Sequence, residues 1–431
     1  MKINKTFCAL VIGLATASVA QALPPGPLVP SPNPVFISGS TAFRTQVWNG
    51  LTDMGLAHQP GDASGNNIFT FTGTPNNIVL GGYEGGLDAN LTSGPVTVYC
   101  SFDGSAQGVY ECTHPAQQQN FEDVGAPSGG GVATFTHGSD IAFSDVEQAS
   151  TAFPAPTLTE IVSQGAIATG TDQGIAVQPF LWAANSFAAA KITTINNYQA
   201  YNLFTSGQLG LSFWTGNPAD YPTPVKLTGR DNTSGTRITA EQLTPYLTGD
   251  AIIQWTVDGG VGTPNTAGNT GPWALAPADG YGPNDSGYGS GGNVAKALGG
   301  LGVVADTSLV VGYVSFADAK GLVDAAAQTV PTLGTALIYN NINPILQLAG
   351  PFEYNIPAVE NGPWPFWSYE HLLEGANVVH LGFIDADFGP GLVLAVNYEI
   401  SLQVLGTPQT AILEENMNVF RLYDGGPINH F

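Results

Sequence analysis

Two short stretches of the chain crowd glycine and hydroxyl residues between a strand-like run and a helix-like one. Ser38-Gly39-Ser40-Thr41 follows the apolar Val35-Phe36-Ile37 and precedes a helical pattern over residues 42–51, with Phe43, Val47 and Leu51 on one face. Thr233-Ser234-Gly235-Thr236 follows Val225-Lys226-Leu227-Thr228 and precedes a helical pattern from about Arg237 to Leu247. Glycine lets backbone approach a ligand closely. The unpaired N–H groups and positive dipole end of a helix's first turn attract an anion, and hydroxyls add donors. A single such turn is what any helix N-cap looks like. Two in one chain, one with an arginine at its mouth, point to an oxyanion site. Arg230 stands four residues before Ser234. Its planar fork suits two oxygens of a tetrahedral anion, or a local acid such as Asp231. Arg44 and Arg237 fall within first helical turns, where a cation opposes the dipole, so they are either ligand contacts or solvent-facing.

These segments bring a family into view. The chain resembles the high-affinity phosphate-binding proteins of bacterial ABC transporters, members of the two-lobed periplasmic binding proteins. Gly39-Ser40-Thr41-Ala42-Phe43 is similar to the family's first phosphate loop, and Gly104-Ser105-Ala106-Gln107-Gly108-Val109 to its second. Ala142-Phe143-Ser144-Asp145 looks like the segment that contributes an aspartate. Arg230 to Thr236 resembles the Arg-x-Asp-Gly-Ser-Gly-Thr loop, the most specific of the four. Val311-Gly312-Tyr313-Val314 resembles a family strand, and Trp364 to Tyr369 the second crossing between lobes. The likeness spans roughly residues 35–400 but not the inserts at 56–98, 112–135 and 259–292.

The resemblance implies a site in which Thr41 or the Ala42 backbone and the Phe43 N–H donate from the first loop and Ser105 from the second. Arg230, Ser234, the Gly235 N–H and Thr236 would donate from the fourth segment. Asp145 would accept from a ligand hydroxyl or pair with Arg230. Two positions depart from the pattern. Ala42 stands where the family has a threonine, and Asn232 where it has an aspartate. A carboxylate only accepts, so it welcomes a protonated phosphate and repels sulfate, whereas asparagine can donate as well. The resemblance therefore implies an oxyanion first and phosphate as the leading choice among oxyanions.

Other chemistry-bearing residues are weaker candidates. His137-Gly138-Ser139-Asp140 is adjacent in sequence, whereas catalytic triads assemble in space, and it lacks a Gly-x-Ser-x-Gly turn. Asp385-Ala386-Asp387 and residues 279–285 lack full calcium-loop spacing. Trp364, Phe366, Trp367 and Tyr369 read as an aromatic core patch rather than a sugar platform. No metal or cofactor is implied.

The elements that must position the site belong to an exported chain. Residues 1–22 combine a basic start, an apolar run from Phe7 to Val19 and a small-x-small end at Ala20-Gln21-Ala22, the pattern of a signal peptide. Residues 23–34 form a proline-rich linker. The formal charge is −23, and losing Lys2 and Lys5 with the leader makes it −25. A chain so poor in Lys and Arg offers no basic stripe for nucleic acid and is repelled by anionic membranes. The nearby pair Cys100 and Cys112, in an exported protein, is expected to form a disulfide.

The remaining length calls for two lobes. The first takes residues 35–180 with 363–431, and the second 181–362. Alternating strands and helices predict an α/β fold of the periplasmic-binding-protein type, its ligand cleft between the lobes. Within it, residues 393–404 read as a strand and 56–98 as a surface insert with β character. The expected function is capture of an oxyanion in the periplasm or outside the cell, by a monomer, either for uptake through an ABC permease or for scavenging. The alternatives are a secreted interaction protein with a changed ligand, and, behind it, an exported phosphatase.

Overall fold

The computed structural model describes residues 33–75, 94–114, 118–122, 134–153, 158–160, 174–244, 246, 252–255, 287–299, 309–323, 334–347, 353–375, 388–403 and 408–431. The leader, the aspartates at 279–285 and the Asp385-Ala386-Asp387 stretch lie outside them. Pro34, assigned above to the linker, is the first residue of strand β1 (Pro34–Gly39). After it come α1 (Arg44–Asp53), β2 (Ala57–His58), β3 (Ile68–Gly73), β4 (Val96–Ser101), α2 (Ser105–Thr113), β5 (Gln119–Glu122), β6 (Thr134–His137), β7 (Ile141–Ser144) and β8 (Thr159–Glu160). Then follow β9 (Ala176–Asn185), α3 (Asn197–Ser206), β10 (Gln208–Gly210), β11 (Pro224–Leu227), α4 (Gly235–Leu243), α5 (Gly291–Gly299), β12 (Leu309–Ser315), α6 (Phe316–Val323), β13 (Gly334–Ala336), β14 (Trp367–Glu374) and α7 (Gly389–Gln403).

The fold is mixed α/β. Among the described residues one long sheet runs β10-β11-β12-β9-β14-β7-β1-β4-β3-β2, with β13 beside β9 and β8 beside β14. β1 is parallel to both β4 and β7, and β11 to β12, while β9 and β14 pair antiparallel at the middle of the sheet. All ten residues of β9 and all eight of β14 are buried, which accounts for the apolar run of β9, whereas β14 buries Ser368, Glu370, His371 and Glu374 as well. Pro179 has no N–H to give, and the ladder there is carried by its neighbour, Phe180 N–H donating to Phe366 O at 2.9 Å.

Two apolar cores lie along this sheet. One gathers Phe43, Val47, Leu51, Phe69, Phe71, Val98, Phe143, Leu392 and Val396. The other gathers Leu181, Trp182, Phe204, Leu227, Val311, Tyr313, Trp364 and Phe366. The boundary drawn at residue 180 falls inside β9, which contributes to both halves. The aromatic run from Trp364 to Tyr369 is core, as expected, with the Trp364 indole N–H donating to Phe180 O at 3.0 Å.

Three expectations are corrected. Residues 393–404 are not a strand: α7 runs Gly389–Gln403. Its β-branched residues suggested a strand, yet Val393, Val396 and Ile400 recur at helical spacing and are buried. They pack on α1 so closely that a Cβ on Gly50 would fall 2.9 Å from Val396 Cγ2. The insert at 56–98 is not wholly superficial, because β3 pairs with β4 and buries Phe69 and Phe71 completely. Cys100 and Cys112 are not joined: both are free and buried. Cys100 faces the core that holds Ile141 and Phe143, whereas Cys112 packs with Ala142. Successive residues of β7 point to opposite faces, so the two thiols lie on opposite sides of the sheet.

Candidate functional site

The carboxyl ends of β1, β4 and β7 lie side by side because these three strands are parallel neighbours. Ligands of open α/β sheets collect at such ends. β1 delivers Thr41, β4 leads through Asp103 and Gly104 to Ser105, and β7 delivers Asp145. Two glycines make the arrangement fit. Gly39 has φ +120°, and a Cβ there would fall 1.9 Å from Phe143 O, so only glycine lets Ser40 N–H reach that carbonyl at 2.8 Å. Gly104 has φ +147° and lies against Thr233, whose carbonyl accepts from Ala106 N–H at 2.9 Å. That contact docks the 103–106 turn on the loop running from Arg230 to Thr236.

Asp145 is the hub. It is 1% exposed. Its Oδ1 accepts from the Ser105 hydroxyl, its Oδ2 from the Thr236 hydroxyl at 3.3 Å, and its backbone carbonyl from the Ser368 hydroxyl at 2.5 Å. Ser105 opens α2 and Gly235 opens α4, so both helix N-termini converge on this carboxylate. Burial raises its pKa above the ordinary carboxylate range, and the Ser105 hydrogen bond and the Arg230 charge oppose that rise.

Arg230 is 2% exposed and bound on every nitrogen. Nε donates to Tyr288 O at 3.0 Å, Nη1 to Thr41 Oγ1 at 3.1 Å and Nη2 to Gly289 O at 3.0 Å. It therefore ties the β1–α1 turn to the second half of the chain. It does not pair directly with Asp231, the local acid the sequence offered. Asp231 turns back into its own loop, its Oδ1 accepting from Thr233 N–H at 3.3 Å and Thr233 Oγ1 at 2.8 Å. Burial raises Asp231's pKa as well, against the pull of Arg230.

The sequence-predicted residues thus divide. Thr41, Ser105, Asp145, Arg230, Gly235 and Thr236 come together. Ser234 caps α4, its hydroxyl accepting from Arg237 N–H at 3.3 Å. Phe43 and Ala42 are buried, but the Phe43 N–H already donates to Ser40 O at 3.2 Å, so it is turned inward rather than toward a ligand. Asn232 sits on the same loop, half-buried beside Asp231. Arg44 and Arg237 both have partners within the protein. Arg44 pairs with Asp318 at 3.4 Å and reaches Thr41 O, and Arg237 pairs with Glu241 at 2.7 Å. In the discounted His137 to Asp140 stretch, the His137 ring stacks on Phe36 and the Ser139 hydroxyl donates to Glu111 at 2.9 Å.

Four features escaped the sequence reading. The carbonyls of Tyr288 and Gly289, which hold Arg230, come from the margin of a glycine-rich stretch with no periodic pattern. Ser368 reaches Asp145 from near the start of the fully buried strand β14. Its neighbour Glu370 is fully buried, and neither of its carboxyl oxygens has a hydrogen-bond partner among the described residues. Burial, reinforced by Asp145, pushes the Glu370 carboxyl well above its ordinary range, with His371 opposing the rise. Asp103 is the fourth, an exposed carboxylate immediately before the Gly104-Ser105 turn.

No protein-family model matches the chain, and no curated protein matches it by sequence. Solved structures do. One is described as a phosphate ABC transporter substrate-binding protein with bound phosphate from Clostridium perfringens, at 13% identity and TM-score 0.42, covering 84% of this chain and 98% of that one. PstS from Borrelia burgdorferi matches at 12% identity and TM-score 0.34, covering 84% and 97%. A possible phosphate binding protein from Planctomyces limnophilus matches at 8% identity and TM-score 0.36, covering 86% and 89%. Superpositions this loose carry no residue's role across, and the chain's own geometry must supply the function.

Proposed function

We propose that this chain is an exported solute-binding protein that captures an oxyanion, phosphate first, in a cleft between two lobes and hands it to an ABC permease. The observation that carries the reading is the convergence on one point of three segments distant in sequence. Hydroxyls of Ser105 and Thr236, the N-termini of α2 and α4, and the Arg230–Thr41 link surround the Asp145 carboxylate. A set of neutral donors backed by one guanidinium holds an anion well where water is excluded. Asp145 then has two roles. Without ligand it receives the Ser105 and Thr236 hydroxyls. With ligand it accepts from a protonated ligand oxygen while those hydroxyls turn to the anion.

A second reading is favoured by Arg230, whose nitrogens are all engaged within the protein. On that reading the chain is a secreted interaction protein with the same fold and a changed ligand. Calorimetric titration of the mature protein with phosphate, arsenate and sulfate separates the two. Saturable binding of at least one oxyanion below millimolar concentration supports capture. No heat from any of the three at millimolar levels sinks it in favour of the second reading.

A further inference from the structure

We infer that Asp62, Thr70 and Glu122 form a calcium site on the face of the sheet covered by β5. It shares no residue with the Asp145 hub and does not depend on oxyanion capture.

Three separate elements supply the oxygens. Thr70 stands in the middle of β3, where Phe69 and Phe71 turn into one core, so its own side chain faces the other side of the sheet. Its cross-strand partner is Tyr99, which packs with Phe36 and Phe121. Asp62 comes from the connection between β2 and β3, and its Oδ2 accepts from Thr70 N–H at 2.9 Å. Glu122 closes β5, and its carboxyl meets the Asp62 carboxyl and lies beside the Thr70 hydroxyl. The connection that carries Asp62 is anchored at both sides. Gln59 N–H donates to Thr70 O at 2.9 Å, and the Thr45 hydroxyl donates to Ser64 O at 3.3 Å.

Two of these oxygens are buried without a partner. Thr70 is 0% exposed, yet its hydroxyl makes no hydrogen bond among the described residues. Glu122 Oε2 makes none either. Buried polar atoms left in this way are costly and call for a ligand. No Lys or Arg among the described residues pairs with either carboxylate, and the basic group near Asp62 is His58. Burial and the Asp62 charge raise the Glu122 carboxyl to about 7, a repulsion that a cation between the two carboxylates would relieve.

The donor set selects the cation. Two carboxylates and a hydroxyl are hard oxygen ligands, which suit calcium. A softer transition metal would call for His or Cys, and no three His, Cys, Asp or Glu side chains gather as metal ligands among the described residues. Magnesium demands a near-ideal octahedron, whereas calcium accepts irregular oxygens and completes its shell with water. So few protein ligands imply weak binding, with a dissociation constant on the order of 10⁻⁴ to 10⁻³ M. Bound calcium would clamp the β2–β3 connection and the end of β5 onto β3.

The test follows thermal melting of the mature protein, stripped of metal by a chelator, as calcium chloride is added at constant ionic strength. Glu122→Gln and Asp62→Asn each remove one ligand charge, and either serves if the other fails to fold in chelator. Thr70→Val keeps both carboxylates and removes only the hydroxyl. The wild-type melting temperature should rise by roughly a few degrees at about ten times the dissociation constant, and less with magnesium. A chain of net charge −23 attracts cations everywhere, so the deciding quantity is the difference between wild type and variants. Each carboxylate variant should need roughly tenfold more calcium for the same rise, and Thr70→Val several-fold more. A calcium response equal in wild type and all folded variants overturns the site. So does the absence of any wild-type response at about 10 mM calcium.

Discussion

Asp145 and Gly235 share one small space: an ideal Cβ on Gly235 would fall 1.9 Å from Asp145 Oδ1 and 2.9 Å from Ser105 Oγ. No side chain fits at position 235 unless the carboxylate moves. The hub of the site therefore depends on a glycine at the mouth of α4, the residue type the sequence placed there for backbone approach.

Gly235→Ala should consequently displace Asp145 from the Ser105 and Thr236 hydroxyls. Overpacking of this kind costs about 1–3 kcal/mol of stability. It should also weaken oxyanion binding at least tenfold, since donors and acceptor lose their common geometry. Thermal melting and calorimetry on the variant check both. An unchanged affinity would remove Asp145 from the binding site.

Arg230 fixes the 287–289 segment as well as any ligand. Arg230→Lys keeps the charge but not the fork, so at most part of the set Tyr288 O, Gly289 O and Thr41 Oγ1 stays satisfied. Buried carbonyls losing their donors cost about 1–3 kcal/mol each. The urea midpoint should fall by an amount consistent with roughly 3 kcal/mol or more at constant m-value. A midpoint unmoved by the change would show that those carbonyls are served by something else.

Much of this was legible in the sequence, and the misses have physical causes. The strand–turn–helix units around Thr41 and Ser234 were visible because apolar period and turn chemistry change abruptly there. The convergence of Ser105, Asp145 and Thr236 was reachable only by resemblance, since nothing local says that residues so far apart touch. Ser368 and Glu370 were hidden for a different reason: β14 mixes Ser368, Glu370, His371 and Glu374 with apolar residues and buries all of them, so polarity there does not mark which side chains meet the site. α7 was misread because β-branched residues serve a buried helix as well as a strand. The cysteine pair misled because closeness in sequence says nothing about which face of the sheet each thiol occupies.

The separation of the two thiols has a direct consequence. With Cys100 and Cys112 free, a reducing agent has no crosslink to break. Dithiothreitol should leave the melting temperature of the mature protein unchanged, and a thiol reagent should titrate both cysteines only after denaturation, because burial shields them and pushes their pKa values well up. A melting temperature lowered by reduction would restore the disulfide expected from the sequence.

Glu111 offers a pH signature that belongs to the fold rather than to the ligand. It lies on α2, 1% exposed, accepting from Gln107 Nε2 at 2.6 Å and Ser139 Oγ at 2.9 Å. Burial, with Asp103 adding to it, pushes its pKa from 4.5 up to about 8. The folded chain therefore holds a proton that the unfolded chain releases near pH 4.5. Stability from this group is complete below that value and is lost as pH rises toward about 8. The loss is on the order of a few kcal/mol. Rising net charge erodes stability over the same range, so the wild-type profile alone does not isolate Glu111. Glu111→Gln does, because its amide cannot ionise. The variant's melting temperature should fall less steeply between pH 5 and pH 8 than that of wild type, with the gap widening at the alkaline end. Parallel profiles would mean that Glu111 titrates near its ordinary value and that its surroundings on α2 are wetter than its burial implies.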